Sequence, residues 1–444
     1  MTARECAIVG AGPAGLYCAQ ALLEADETLH VTVIEKLPAV FGLARYGVAP
    51  DHLKLKQICS VFEQILRHPR LHLVGNVSIP RTVSLDLLRE HFHAVVLATG
   101  APAPRRLGIP GEQLRGSHSA TEVVAWYNGH PDAAHHLMDL SGEQAVVVGQ
   151  GNVALDIARI LLLSEDGRHR SDMAEHALVS LRASGVRVVH VAGRRDPWHT
   201  RFSVKELREL VKAAGIAVHV HTDPDFVDSE PPGDADDAQK AAGQFFQQVL
   251  RDSPSTAALD AAGVHFHFGL QPVAVSGPDS VESVSFRRGS PGSQEWMTLP
   301  ARLLVRSIGS IAPAFAGLAI DETKGSIANR DGQIIDHLDR PCDGLFVTGW
   351  ARRGAAGVIG TNRDDGAQVA ARVLEFLGQQ SHGTRGGFSA LSQDLAQRGL
   401  QLVDQSGWAR IDASERAAGR LRGRPRVKLV HVHDLLEASA GVTA

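Results

Sequence analysis

The feature that most restricts how this chain can fold is a glycine turn that occurs twice in the same setting. Gly10-Ala-Gly12-Pro-Ala14-Gly15 follows the apolar run Cys6-Ala-Ile-Val and precedes Leu16-Tyr-Cys-Ala-Gln-Ala-Leu-Leu, the order of a buried strand, a turn and a helix. Each glycine has a separate task in such a unit: Gly10 permits the tight turn, Gly12 lets backbone amides approach a pyrophosphate, and Gly15 lets the helix close on the strand. A second strand-like run, Leu29-His-Val-Thr-Val-Ile, ends at Glu35, twenty residues past Gly15. A carboxylate there accepts both ribose hydroxyls of an adenosine and repels a 2′-phosphate.

The turn recurs at Gly149-Gln150-Gly151-Asn152-Val153-Ala154, after Ala145-Val-Val-Val and before Leu155-Asp-Ile-Ala-Arg-Ile-Leu. Ala154 takes the third glycine's place, which this pattern permits, and the next strand, Val186 to Ala192, ends at Gly193-Arg194-Arg195 with no acid. Two guanidiniums at a strand end suit a ribose 2′-phosphate by bidentate contact, so the second site is expected to take NADP(H) in preference to NAD(H). Between turn and strand, residues 164 to 185 read as a polar loop and a helix-like stretch beginning near Asp172. Further apolar strands end at Gly100 and Gly309. Another, Gly344 to Gly349, leads through Trp350 to the glycine-rich turn Gly357-Val358-Ile359-Gly360, whose backbone is open to a ring system or a pyrophosphate. The expected fold is α/β with two Rossmann-like dinucleotide-binding domains: residues 1 to 105 and 312 to 444 form one, and residues 106 to 311 form a second inserted in it. The acidic stretch 221 to 242 reads as a solvated excursion.

Of 444 residues, 44% are hydrophobic and 21% charged, the balance of a folded globular chain and not of a disordered or fibrous one. A net charge of -4 argues against coating nucleic acid, and no apolar run reaches membrane length. With five residues ahead of the first strand-like run, no signal peptide is expected and a cytoplasmic location is. Cys6, Cys18, Cys59 and Cys342 show no close pair and no cluster-binding spacing, so neither disulfide exchange nor an internal iron–sulfur centre is expected. His265/His267 and His431/His433 alternate as same-face strand neighbours do. With no third ligand beside either pair in the chain, they read as exposed or hydrogen-bonded side chains, and no metal is expected.

Taken with the strings Phe41-Gly-Leu43-Ala-Arg-Tyr-Gly-Val-Ala-Pro-Asp-His52, Gly75-Asn-Val, Ile109-Pro-Gly-Glu, Trp126-Tyr-Asn, Lys205-Glu206-Leu-Arg-Glu209-Leu and Gly423-Arg-Pro-Arg-Val-Lys-Leu429, the paired turns resemble a known family over the full length. It comprises the adrenodoxin reductases and bacterial NADPH–ferredoxin reductases, of glutathione-reductase-like fold. The resemblance implies FAD in the first site and NADPH in the second, with hydride passing to the flavin and single electrons leaving for a ferredoxin that supplies a haem monooxygenase or similar oxidative enzyme. It places Ala14, Glu35, Leu43, Ile79, Trp350 and Gly357-Val358-Ile359 around FAD, and Gln150 to Val153, Arg194, Arg195, Glu206 and Gly357 around NADPH. His52 and Glu209 resemble the family's histidine–carboxylate pair near the flavin, a proton relay or a structural pair. The family-like expectation is a monomer.

Arg201, Lys205, Arg208 and Lys212 recur at helical spacing and form a docking stripe for an acidic ferredoxin if the stretch is helical. The chain departs from the family at Asp196, where glycine normally follows the arginines, at Trp198, at Ser310 in place of tyrosine, and at Ala238-Gln-Lys-Ala-Ala-Gly-Gln in place of a basic segment. Two other functions share this fold: a flavin monooxygenase acting with oxygen, and a redox-sensing flavoprotein that does not turn over.

Overall fold

The computed structural model describes residues 4–212, 215–252, 258–289, 295–379 and 383–441. The chain divides into two compact units: one holds the residues up to Val48, His52–Ala103 and the chain from Ser310, the other Ala49–Asp51 and Pro104–Gly309.

The first unit is built on seven strands in the order Asn329–Arg330, Gln333–Ile335, Pro341–Val347, Ala94–Leu97, Arg4–Val9, Leu29–Glu35, Leu71–Gly75. The last five are parallel, and the first two add an antiparallel edge. The strands are apolar on both faces, with Ala7, Ile8, Val31, Val33, Val95 and Val96 fully buried, as a parallel sheet covered on both sides requires. From Arg4–Val9 the chain winds outward through Leu29–Glu35 and Leu71–Gly75, then returns on the other side with Ala94–Leu97. The order reverses at the carboxyl end of Arg4–Val9, where such sheets bind ligands and where the first glycine turn stands. Helix Pro13–Ala25 starts from that turn and packs on helix Thr361–Gln379, so closely that a methyl group on Gly366 would lie 2.8 Å from the Cys18 amide nitrogen.

The second unit repeats the plan with six parallel strands in the order Ser117–Ser119, Leu303–Arg306, Gln144–Val148, Val188–Ala192, Gly263–His267, Val218–His221. Its switch point is the carboxyl end of Gln144–Val148, at the second glycine turn. An antiparallel sheet of Leu270–Ser276, Ser283–Arg288 and Trp296–Pro300 packs Leu270, Val284, Phe286 and Leu299 against Val146, Val148 and Leu304. The α/β class with two Rossmann-like folds is thus the one expected.

Three local expectations need correction. Residues 164 to 185 hold two helices, Glu165–His169 and Glu175–Arg182, and Asp172 precedes the second, buried, with its amide donating to the Pro50 carbonyl at 3.1 Å. The acidic stretch is anchored, not merely solvated. Pro224–Asp228 is a 3-10 turn with Phe226 buried, and the helix Asp237–Asp252 follows. Trp198 fastens both: its indole donates to Ser229 Oγ at 2.9 Å, its ring meets Phe226 at 5.3 Å, and a methyl on Gly243 would collide with it at 2.1 Å. His431 and His433 are not strand neighbours, since His431 caps helix Val432–Ala440 and His433 lies within it. Among the described residues no helix is long and apolar enough to cross a membrane.

Candidate functional site: two dinucleotide turns

The glycines of the first turn divide into two kinds. Gly10 has φ +115°, and a methyl there would sit 2.5 Å from the Ala98 carbonyl oxygen; one on Gly15 would sit 2.1 Å from that of Gly10. The protein's own backbone therefore requires both. Gly12, which caps helix Pro13–Ala25, has ordinary extended angles, and its nearest neighbour would be Gly42 at 3.8 Å. Gly151 caps helix Asn152–Leu162 in the same way, with nothing within 4 Å. Neither strain nor packing calls for glycine at these two positions, and close approach of a ligand to the helix amides does. The residues present thus fit a dinucleotide pyrophosphate at each turn.

Glu35 ends its strand almost fully buried. One carboxylate oxygen accepts from the Ala11 amide of the glycine turn at 2.9 Å and the other from Leu37 at 3.1 Å. Burial raises its pKa and the two amides oppose that rise, and an ionised carboxylate held this way keeps lone pairs for two ribose hydroxyls. Opposite, the Gly349-Trp350 turn is pinned by buried Asp365, which accepts from Thr348 Oγ1 at 2.9 Å, the Gly349 amide and Arg352 at 2.6 Å. Leu43 and Val358 are exposed while Trp350, Ala14, Ile79 and Ile359 are half-buried. Exposed large apolar side chains beside a glycine turn are the surface a ring system covers.

Two of the family-like strings meet around a buried ion pair in this unit. Arg45, of the Phe41 string, donates through both terminal nitrogens to Glu415, and its guanidinium lies over the rings of Tyr46 and Trp408 at 5.0 and 5.4 Å. Glu415 also accepts from Arg426 at 3.0 Å and from the Leu429 amide at 2.9 Å, so the Gly423-to-Leu429 string is tied to the same carboxylate. Cys6 and Cys18 share one apolar core, and the Cys18 thiol acts electrostatically on Cys6. Both are fully buried, and burial pushes the thiols up, Cys18 to about 12, which leaves no thiolate for disulfide exchange.

In the second unit the turn carries Gly149 with φ +142°, its would-be methyl 2.1 Å from the Ser307 carbonyl oxygen, while Ala154 is accommodated fully buried. Asn152 Oδ1 accepts from the Ser203 amide at 2.8 Å and Arg201 donates its amide to Gln150 O at 2.9 Å, which ties the next segment to the turn. Val153 is exposed, as are Arg194 and Arg195 just past the end of Val188–Ala192. Asp196 does not orient either arginine. It caps its own 3-10 turn, accepting from the His199 amide at 3.1 Å, and pairs with the His199 ring at 2.8 Å. That pairing raises the His199 pKa, and Asp234, from the acidic stretch, stands 3.5 Å from the ring's other nitrogen.

Sequence reasoning missed Arg159. It is buried on the helix after the second turn, binds both oxygens of Asp51 at 2.7 and 3.1 Å and Asp156 at 2.8 Å, and stands 3.8 Å from Glu206. Its signal was a pair of opposite charges, Asp156 and Arg159, inside the apolar run Leu155-Asp-Ile-Ala-Arg-Ile-Leu. Glu206 and Glu209 lie on helix Val204–Lys212 of this unit, whereas His52 opens the short helix Leu53–Lys56 of the other. The four-cation stripe is also corrected. Arg201 precedes the helix and pairs as an isolated bridge with Gly151; Lys205 and Arg208 are exposed on the helix, and the Lys212 side chain lies outside the described residues. Ser310 is buried.

Two ligand-facing turns on two parallel sheets define a class, the two-dinucleotide flavoprotein reductases, and residues 4–245 match the family described as pyridine nucleotide-disulphide oxidoreductase. Within it, the chain is 38% identical to NADPH-ferredoxin reductase FprA of Mycobacterium tuberculosis, over 98% of this chain and 99% of that protein. It is 37% identical to the mitochondrial NADPH:adrenodoxin oxidoreductase of Homo sapiens, over 97% and 90%. The solved structure of Mycobacterium tuberculosis FprA in complex with NADPH superposes with a TM-score of 0.89 at 37% identity, covering 99% of this chain and 100% of that one. The chain therefore belongs to the adrenodoxin reductase and NADPH–ferredoxin reductase family.

Proposed function

We propose that this chain is an NADPH-dependent FAD reductase that delivers electrons singly to a ferredoxin, which in turn supplies a haem monooxygenase or similar oxidative enzyme. The observation that carries the reading is the contrast between the two ligand-facing turns. One ends at a buried carboxylate made for ribose hydroxyls, the other at two exposed guanidiniums suited to a 2′-phosphate. Bound at the first turn, FAD would supply the chemistry of taking one hydride, two electrons with one proton, and of releasing the two electrons singly.

The chain's own residues supply binding and orientation. The amides after Gly12 and Gly151 receive pyrophosphates. Glu35 selects an unphosphorylated ribose, Arg194 and Arg195 select a phosphorylated one, and Gln150 to Val153 line the path between. Asp365 holds the Gly349-Trp350 turn that, with Leu43, Ile79 and Gly357 to Ile359, borders the flavin. Glu206, Arg159 and Asp51 set the charge of the nicotinamide side. His52 and Glu209 are the candidates for handling the proton that accompanies flavin reduction, since an imidazole and a carboxylate are the side chains that most often serve as general acid and base. His52→Ala and Glu209→Ala should each slow flavin reduction about tenfold or more or displace its pH profile. Unchanged kinetics in both variants eliminate the relay. Lys205 and Arg208 serve as part of the ferredoxin-docking surface, with charge that steers encounter. A cytoplasmic monomer fits this reading.

Anaerobic stopped-flow absorbance tests the whole reading. NADPH should bleach the flavin much faster than NADH, and oxidised ferredoxin should restore its colour. Restoration by oxygen alone would favour a monooxygenase, and no bleaching would leave a nucleotide-binding protein.

A further inference from the structure

The sheet of the second unit carries five histidines on one face. Side chains alternate along a strand, so His265 and His267 of Gly263–His267 point the same way. The parallel register then sets His190 and His219 on either side of His265, and His221 beside His267. The opposite face of the same strands, Val189, Val191, Val264 and Phe266, packs into the apolar core. His190, His265 and His267 are fully buried and His221 nearly so. The third ligand that neither sequence pair possesses is therefore supplied by neighbouring strands.

The hydrogen bonds fix which ring nitrogens face one another. The Ala261 carbonyl, 2.8 Å from His265 Nε2, can only accept, so that nitrogen carries the proton and His265 presents a bare Nδ1. Gln144 Oε1, 3.0 Å from His190 Nε2, leaves His190 with a bare Nδ1 in the same way. His267 Nε2 stands 3.0 Å from the bare Nδ1 of His190, and His221 Nε2 stands 2.9 Å from that of His265. The remaining nitrogen of His267, Nδ1, is buried with no hydrogen-bond partner. One nitrogen each from His190, His265 and His267 lies within 4.8 Å of the others.

We propose that this histidine face is a binding site for a borderline-soft divalent cation, zinc foremost, held by His190, His265 and His267 with His221 as the fourth nitrogen donor. Four nitrogens at about 2.0–2.1 Å from one ion stand about 3.3 Å apart. The His190–His267 and His221–His265 nitrogens are already 3.0 and 2.9 Å apart, and one nitrogen each from His190, His265 and His267 lies within 4.8 Å of the others, so His221 closes on the ion by moving with His265. Neutral imidazoles select zinc, nickel or copper over magnesium or calcium. His190 and His265 already have the outer contacts of metal-bound histidines, each donating its other N–H to a fixed oxygen. His221 and His267 need only move a proton from Nε2 to Nδ1, so binding releases no proton. Protons compete poorly here: burial holds His190 down to about 3 and His221 to about 4, and His267 well below its ordinary value. A proton meets one lone pair, whereas a metal ion engages several at once. Arg288, near His221 and His267, opposes any cation and Asp260, near His265, favours one. A site closed by four protein donors is structural, fastening the strand Val218–His221 at the sheet edge to its inner neighbours.

Isothermal titration of the metal-stripped, flavin-loaded full chain with zinc chloride tests this. The expected result is one zinc per chain, with affinity unchanged between about pH 7.5 and about pH 6, because neutral histidines are already the folded form. His190→Gln and His267→Gln should each weaken binding about 100-fold or more, and Gln144→Leu, which removes only an outer contact, about 10–100-fold. His433→Ala should change nothing; it removes the His433, Asp434, Glu437 group, a surface rival for adventitious zinc. X-ray absorption of the zinc-loaded chain should show nitrogen donors only, a readout that needs no variant to fold. Absence of stoichiometric zinc, oxygen donors in the absorption spectrum, or zinc lost with His433→Ala and kept with His267→Gln would each overturn the proposal.

Discussion

The two glycine turns share a backbone and differ in what surrounds it. In the first, a methyl group on Gly15 would lie 2.1 Å from the Gly10 carbonyl oxygen, while in the second the same place is filled by buried Ala154. In the first, the discriminating charge is Glu35, buried and already held by two amides; in the second, it is Arg194 and Arg195, both exposed. The closeness of helix to strand is thus a local packing choice that each turn makes separately. The charge at the next strand's end is what makes the two sites different in kind. A preformed, buried acceptor suits a resident cofactor, and exposed arginines suit one that comes and goes.

The sharpest way to break the comparison is at the third position. Gly15→Ala forces its helix off the sheet, a cost of about 1–3 kcal/mol or more in overpacking, and should yield protein without flavin. Ala154→Gly removes a buried methyl and adds backbone freedom at a cost of about 1 kcal/mol, so it should yield protein with flavin and ordinary NADPH reduction. Flavin absorbance per chain after purification reads both. Equal flavin content in the two variants would mean that the turns are sterically interchangeable.

The charges come next. Each of Arg194→Ala and Arg195→Ala removes a charge-assisted contact to the 2′-phosphate, about 1.5–3 kcal/mol, so kcat/KM for NADPH should fall about 10–100-fold while that for NADH holds. An equal fall for both coenzymes would mean that the arginines shape the strand end and do not read the phosphate.

The turns and their discriminating charges were legible because every residue involved lies within one strand–turn–helix–strand unit, and local spacing carries the whole pattern. Contacts made across long stretches of chain left no such mark. Arg45 meets Glu415 across 370 positions and Arg159 meets Asp51 across 108, and each shows in the sequence only as charge inside an apolar stretch, with nothing to point to its distant partner. The histidine face was half visible: the alternation of His265 and His267 was plain, but His190 and His221 join them only through strand order, which places Gly263–His267 between Val188–Ala192 and Val218–His221. Helical spacing likewise placed Arg201 with Lys205 and Arg208, because spacing does not say where a helix begins.

The two sheets should also part company in acid. In the first, the strands bury mainly aliphatic side chains and one half-buried histidine with a lowered pKa, His72 on Leu71–Gly75; in the second, a cluster of buried histidines has folded pKa values below their unfolded value. An unfolded histidine takes a proton below about 6.5, while His190 stays neutral until about 3 and His221 until about 4. Across that window the unfolded chain binds more protons, so this contribution to stability is complete above about 6.5 and is lost as pH falls through the folded values. In the metal-free chain, hydrogen exchange of residues 188–192 and 263–267, corrected for intrinsic rates, should accelerate relative to residues 4–9 and 29–35 as pH drops. A fall of about 5 °C or more in the second unit's melting temperature should accompany it. His190→Val should flatten the trend, and parallel acceleration in both sheets would assign it to acid effects common to the whole chain.

The smallest effect tests whether Asp196 weakens the contrast between an acidic and a basic strand end. Its carboxylate is spent on capping Pro197–His199 and on the His199 ring, whose pKa it raises. While His199 is protonated the pair is neutral, and the nearby arginines see no net acid. Once pH passes the raised pKa the proton leaves, the negative charge reappears beside the phosphate site, and the exposed setting screens much of it. Asp196→Gly should therefore leave the KM for NADPH unchanged at about pH 6 and lower it by about twofold at about pH 9. A ratio that stays constant across that range would show that Asp196 serves its turn alone, and the departure from the family at this position would then be one of local structure.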